Sequence, residues 1–423
     1  MAIHKEAQEN NNQLRAINPM LFSALSSCGE RAFFPKGIPF QAGQSKNCRV
    51  NATIGQITDG MGNPLLLAPL AEKLVDLTPK DAFLYSPVCG RDLARNAWHA
   101  KHLREDARIE TVLLPMVTLG ICHAISMGAE LFVNPGDTLI IPDLHWDNYE
   151  QVFSTYMGAR FKEFPFYSSN GGFNLDGLRN SLSATCGKVQ VLLNFPSNPT
   201  GYSPTLAELY AIAEILVDAA QSRPIVVYCD DAYHGLVFDT EATTKSLFFE
   251  LLNRSPNLIP LKCDGITKEL SFFGGRVGFL SFGIDKEAAG ILLNKCMGLM
   301  RSRIGSPVGI SQHLMEIELL DPRHESEFER LRTVMAGRYM LLKSLLARPN
   351  RNWETFPFNS GCFCLLKLRK GLRADEIRQR LICEENMGVV SHGGRFIRIA
   401  FCSINEEDIT QLIEALSRVC ERS

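Results

Sequence analysis

Two kinds of apolar pattern alternate along most of this chain. The first is a short continuous run: DTLIIP at 137–142, KVQVLLNFP at 188–196, PIVVYCD at 224–230 and IPLKCDG at 259–265. Such runs, rich in β-branched residues and bounded by turn formers, predict strands buried on both faces. The second pattern places apolar residues at helical spacing. LAPLAEKLVDL (67–77) and LGICHAISMGAELFV (119–133) read this way, the latter ended by Asn134-Pro135-Gly136. In LAELYAIAEILVDAAQ (206–221), Leu206, Leu209, Ile212 and Leu216 share one predicted face. Strands alternating with helices predict an α/β domain with a mostly parallel sheet, whose ligands bind at the carboxyl ends of the strands.

The two ends read differently. Residues 1 to about 60 predict an arm with a short helical piece, then an extended segment, NATIGQITD (51–59). A long helical region is expected over 309–346. CFCLLKL (362–368) and FIRIAFC (396–402) then read as strands, and ITQLIEALSRVCERS (409–423) as a closing amphipathic helix. This predicts a second, smaller α+β domain. The division expected is an arm and small-domain segment over 1–64, a large domain over 65–308, and a linking helix with the rest of the small domain over 309–423.

Composition narrows the class. The 423 residues hold enough chain for two or three domains' worth of core, and a net charge of −2 offers no basic field for nucleic acid. The thirteen cysteines are odd in number, scattered and never spaced as CxxC, which reads as reduced thiols in a cytosolic protein. The first residues, MAIHKEAQENNNQLR, are polar and lack the apolar core of a signal peptide, and no apolar run approaches a membrane span. His99 and His102 have HxxH spacing without an evident third ligand, so a metal is not expected. His145 and His234 border the candidate motifs but read as packed or solvated residues.

Three motifs carry candidate chemistry. Lys268 follows an apolar strand in CDGITKELSFFGGRVGF, with Arg276 eight residues later. A Schiff-base lysine needs a partly desolvated site that lowers its pKa, and an anionic cofactor needs an anchor, which Arg276 and the Thr267 hydroxyl can supply. A lysine after a strand is more often a solvated loop residue. Asn198 lies in NFPSNPTGYSP, between a strand and a helix, where it can donate to a ligand oxygen or simply form a turn. Asp230 and Tyr233 lie in YCDDAYHGLVFD, after another strand. Asp230 can pair with a pyridinium nitrogen, and Tyr233 can donate to a phenolic oxygen; the alternative is an acidic pair at a strand end.

In their order and spacing these motifs, with Arg398 in RIAF, resemble the fold-type-I pyridoxal-5′-phosphate (PLP) enzymes of the class I/II aminotransferase family. The resemblance runs from about residue 50 to the C-terminus. It implies PLP on Lys268, with Asp230 and Tyr233 completing the catalytic set. It places the helix start Gly120-Ile121-Cys122 at the phosphate, Trp146 on the cofactor ring and Tyr85 at the phosphate of a neighbouring subunit, hence a homodimer with shared sites. Arg398 is implied to hold the substrate α-carboxylate, Gly55 to lie in a segment closing over substrate, and Arg301, or its neighbour Arg303, to reach a distal group. The chain departs from the pattern at Cys122, where the family usually has Ser or Thr, and at Gly265, where Ser is common.

The activity implied is ping-pong transfer of an amino group between an amino acid, aromatic or dicarboxylic, and a 2-keto acid. The alternatives are a PLP-dependent lyase or decarboxylase on the same fold, or a non-catalytic regulator. A regulator of that kind carries a DNA-binding domain ahead of this region, and the stretch before NATIG is not basic and has no helix-turn-helix pattern.

Overall fold

The computed structural model describes residues 3–74 and 77–423. The first strand, β1 (Val50–Asn51), pairs in parallel with a short strand near the far end of the chain. The next seven build the main sheet: β2 (Met116–Thr118), β3 (Thr138–Pro142), β4 (Arg160–Phe164), β5 (Val189–Asn194), β6 (Ile225–Asp230), β7 (Leu258–Gly265) and β8 (Gly278–Phe282). Their spatial order is β2-β8-β7-β6-β5-β3-β4, with β8 antiparallel to both of its neighbours and every other pairing parallel.

The continuous apolar runs arise because both faces of this sheet are covered. Val226 and Tyr228 of β6 point into one core layer, Ile225, Val227 and Cys229 into the other. The Ile121–Phe132 helix packs on the first face and the Leu206–Ala220 helix on the second. The latter starts at a capping box: the Thr205 hydroxyl accepts from Glu208 N–H, and the Glu208 carboxylate accepts from Thr205 N–H. Leu209, Ile212 and Leu216 are buried, each stabilising by about 2 kcal/mol. Leu206, the first residue of the helix, departs from the expected buried face and is 41 % exposed.

The smaller sheet contains β9 (Trp353–Thr355), β10 (Phe363–Leu368), β12 (Val390–His392) and β13 (Phe396–Ala400), all antiparallel, in the order β12-β13-β10-β9; β11 (Met387–Gly388) is the partner of β1. A closing helix over Glu406–Glu421 buries Ile409, Leu412, Leu416 and Val419. The arm is more helical than the sequence suggests, with helices at Lys5–Ile17, Pro19–Ser23, Ser27–Arg31 and Ile38–Gln44.

Two other expectations are corrected. The helical region at 309–346 is two helices, Gly309–Leu320 and His324–Leu346. Pro322 separates them, since it has no N–H to donate and disfavours helical geometry at Asp321, which is extended. The helix in LAPLAEKLVDL covers only Ala68–Lys73, and residues 75–76 of that segment lie outside the described residues. The 23-residue helix at His324–Leu346 joins the two sheets. From it, Arg338 donates to the Cys402 carbonyl at 2.5 Å and the Thr58 carbonyl at 2.6 Å, tying the early extended segment to the smaller sheet.

Candidate active site

The carboxyl ends of β5, β6 and β7 meet at a cavity of about 210 Å³. Asn194 ends β5, Asp230 ends β6, and β7 runs straight into a short helix, Ile266–Glu269, that carries Lys268. Parallel strands in register bring these ends level: Asn194 is the direct neighbour of Asp230, and Asp230 of Cys263. Asn194 locks the arrangement. Its amide donates to the Asp230 carbonyl at 2.7 Å, and its oxygen accepts from Asn198 N–H at 2.8 Å.

Lys268, Asp230, Tyr233 and Asn198 all line this cavity. The Lys268 Nζ lies 4.9 Å from the centre of the Tyr233 ring. Burial pulls the Lys268 pKa below its ordinary value, opposed by the Asp230 carboxylate. Asp230 is 2 % exposed; burial pushes its carboxyl up to about 6, while a hydrogen bond from Tyr149 and the charge of Lys268 restrain the rise. Its Oδ2 accepts from Tyr149 OH at 2.5 Å and its Oδ1 from Ala232 N–H at 3.0 Å.

The other wall suits an anion. Ile121, Cys122, Thr267 and Arg276 line it. The Ile121–Phe132 helix begins at Gly120 with no side-chain cap, so its first N–H groups are free to meet a negative charge. Arg276 donates to the Phe273 carbonyl at 3.3 Å and has no carboxylate partner among the described residues. Gly120 has φ +75°, and a Cβ there would stand 2.4 Å from Arg276 Nη2. Gly120→Ala is therefore expected to displace Arg276 and lower stability by roughly 1–3 kcal/mol, readable as a fall in the urea midpoint. Burial pushes the Cys122 thiol up, so it is a neutral donor there. Gly265, where the family pattern has Ser, has no room for one: a Cβ would lie 2.6 Å from the Val277 carbonyl oxygen, next to β8.

Arg398 stands just outside, on the inner strand β13, and is 2 % exposed. Its Nη1 donates to Asn198 Oδ1 at 2.9 Å and its Nη2 to the Thr53 carbonyl at 2.6 Å, with the Phe363 ring 4.3 Å away. Its Nε has no partner, and no carboxylate lies within ion-pair distance among the described residues. Burial pulls its pKa down, so it is a cation in need of an anion. Gly55 packs against the tip of the Phe363 ring: a Cβ would lie 2.6 Å from its Cζ.

Trp146 also lines the cavity, edge-on to Tyr149 at 5.5 Å. Tyr85, Arg301 and Arg303 stand apart from the cavity of their own chain, and Gly55 does not line it either. Tyr85 is 97 % exposed. Arg301 and Arg303 are exposed at the end of the Lys286–Arg303 helix, and Arg303 pairs with Glu130 at 3.3 Å. Conversely, the sequence motifs do not single out Tyr149 and Asn194. Tyr149 sits in the same LHWDNY as Trp146, three residues on and so one helical turn away, which is the available signal. Asn194 has none, since its role depends on the register of β5 and β6.

The family model for aminotransferase class I and II matches residues 50–416. The chain is 28 % identical over 307 residues to an aspartate/prephenate aminotransferase of Cereibacter sphaeroides, covering 68 % of this chain and 70 % of the relative. It is 24 % identical over 396 residues to the mitochondrial aspartate aminotransferase of Dictyostelium discoideum, covering 88 % and 87 %. In fold it is similar to an aminotransferase from Anaerococcus prevotii, with TM-score 0.82, 21 % identity and coverage of 93 % and 98 %. It is also similar to the kynurenine aminotransferase of Pyrococcus horikoshii, with TM-score 0.80, 15 % identity and coverage of 96 % and 99 %.

Proposed function

Given that this chain belongs to the class I and II aminotransferase family and is a PLP-dependent transaminase, we propose that Lys268 is the residue that carries the cofactor and moves the proton. The observation that carries this reading is the meeting, in one cavity, of a desolvated lysine, a buried carboxylate and an anion cradle. The residues present fit the cofactor on three counts. The uncapped helix start beside Arg276 suits a phosphate, and Thr267 adds a hydroxyl. Asp230, neutral or charged near pH 6, suits a ring nitrogen that carries a proton. Arg398 supplies the buried cation that a substrate carboxylate would satisfy.

When bound, PLP supplies an electron sink for charge developing at the substrate Cα. The protein's part is then positional and protonic. Arg398 holds the α-carboxylate through its fork, with Asn198 and the Thr53 carbonyl fixing the plane of the guanidinium. Lys268 Nζ, whose pKa burial lowers, would take the proton from Cα and pass it to the C4′ carbon of the cofactor. Asp230 keeps a proton on the ring nitrogen, and Tyr149 fixes the carboxylate's orientation. Tyr233 and Trp146 border the ring position, and Tyr233 OH serves as a donor because burial holds its pKa well above the ordinary value. In this reading residues 65–308 hold the cofactor, and 1–64 with 309–423 form the smaller domain.

The donor is proposed to be aromatic or dicarboxylic, with Arg301 or Arg303 reaching its far end from a second copy of the chain. Assaying a panel of amino acids by loss of the cofactor's visible band decides this. Strict dependence of turnover on added 2-keto acid is expected; turnover without one would indicate elimination or decarboxylation.

We also infer a homodimer. Tyr85, Phe83, Leu84 and Met61 are large side chains, 64–97 % exposed, and such exposed apolar surface suits a second copy. The thirteen cysteines are free, which suits a reducing compartment such as the cytoplasm. Among the described residues no helix is long and apolar enough to cross a membrane. If Tyr85 completes its neighbour's site, mixing Tyr85→Ala with Lys268→Ala subunits gives hybrids in which one site holds both residues. Turnover above either parent is expected after exchange. Exchange proven by mass-tagged subunits, with no gain in turnover, would rule out the shared site.

A further inference from the structure

Three residues of the cavity wall share a feature that the proposed chemistry does not use. Asp230, Tyr233 and Lys268 are each followed by an ionisable residue, Asp231, His234 and Glu269, buried to 4 %, 7 % and 2 % exposure. None of these three lines the cavity that holds Lys268.

His234 and Glu269 are joined behind that cavity. His234 Nε2 lies 2.9 Å from Glu105 Oε2. Glu105 Oε1 accepts from Lys101 Nζ at 2.6 Å, and Lys101 Nζ reaches Glu269 Oε1 at 3.0 Å. The signs alternate along the chain, so each link is attractive. Burial alone would pull His234 down, but the Glu105 charge outweighs it and holds the imidazole above its ordinary pKa. Lys101 and Glu105 sit one turn apart at the end of the Asp92–Glu105 helix. That helix is itself fixed to β7: Trp98 Nε1 donates to Asp264 Oδ1 at 3.1 Å, and His102 Nε2 lies 2.7 Å from Asp264 Oδ2. All four linked residues line a separate cavity of about 620 Å³.

We propose that Glu269–Lys101–Glu105–His234 is a positioning clamp for Lys268, holding the turn that carries it against the turn that carries Tyr233. The two turns come from different strands, β6 and β7, and the clamp is a chain of ion pairs that spans both from one rigid helix end. It sets where Lys268 Nζ stands over Tyr233 and hence how well it meets a Cα proton. A misplacement of about 1 Å at such a group costs on the order of 10²-fold in rate. The proposal rests on the reading of Lys268 as the cofactor lysine.

The test uses the holoenzyme of Glu105→Gln, Lys101→Arg and the pair Lys101→Met/Glu269→Gln. The pair removes both partners at once and leaves no lone charge between them, so it remains informative if a single change fails to fold. Lys268→Ala, run beside them, is expected to lose the cofactor–lysine visible band; if it keeps that band, the reading of Lys268 fails, separately from the clamp. Glu105→Gln and the Lys101→Met/Glu269→Gln pair should keep the band but move its pH midpoint. Amides 266–270 should exchange hydrogen faster, and kcat should fall about 10- to 100-fold with KM within about twofold. Lys101→Arg should restore most of the kcat. Wild-type midpoint, exchange and kcat in the folded pair would overturn the clamp, as would a Lys101→Arg enzyme no better than the pair.

Discussion

Lys268→Ala is expected to abolish the visible absorbance of the lysine-bound cofactor and to lower turnover by on the order of 10⁴-fold or more. The protein would lose both its covalent anchor and its mobile base in one change. No other amine among the described residues lines the cavity to form the covalent linkage, and the Cys122 thiol is one whose pKa burial raises. Lys268→Arg should fail equally, though it keeps the positive charge, because a guanidinium neither gives up its proton nor forms the linkage. The two variants therefore separate charge from chemistry. Folding should survive both, since Lys268 partly faces the cavity and leaves no core void. A wild-type spectrum in either variant would remove Lys268 from the role proposed for it.

Asp230→Asn should act in opposite directions on activity and on the stability of the cofactor-free protein. The carboxyl is held at about 6 in the fold, against an ordinary 3.8, and burial is the main cause. The folded chain therefore binds this proton more tightly than the unfolded chain does. The stabilising share of that proton is complete below about pH 4 and is lost as pH rises through 6. At pH 7 to 8 the cofactor-free protein carries a buried charge that costs about 3 kcal/mol, as an order of magnitude. The Asp230→Asn change would remove that charge while keeping the shape and one acceptor for Tyr149 or Ala232. The cofactor-free variant is thus expected to melt higher than wild type at pH 8, with the gap closing toward pH 4. Its transamination rate should fall by on the order of 10³-fold, because a neutral amide cannot hold a proton on the ring nitrogen. Thermal scans across pH and stopped-flow half-reactions read the two effects. A variant with near-normal turnover would assign the ring nitrogen to another group. A wild-type protein already more stable than the variant at pH 8 would show that burial of Asp230 is not a cost.

The sequence by itself determined the local elements and the order of the chemistry. Runs such as PIVVYCD suited strands covered on both sides, and the turn formers after them marked where side chains would emerge at strand ends. Lys268, Asp230, Tyr233 and Asn198 were legible because each sits at the end of such a run or a few residues beyond it, and Arg276 because it follows Lys268 by eight residues ahead of another apolar run; all five line one cavity. Local pattern fell short where an outcome depends on partners distant in sequence. It could not see that the chain entering β8 passes so close to residue 265 that only glycine fits. It could not see that Asn194 bridges Asp230 and Asn198, because that follows from strand register rather than from any motif. Leu206 matched the apolar face by spacing, yet as the first residue of its helix it stays exposed. The break at Pro322 is written in the sequence, but the helical periodicity on either side of it masks the stop. Burial was decided by the tertiary structure alone. Lys268, Asp230 and Arg398 are ordinary ionisable residues in a string of letters, and only the packing of two sheets around them withdraws water, shifts their proton affinities and leaves Arg398 without an anion of its own. Desolvation is a property of everything that surrounds a group, and no window of neighbouring residues contains it.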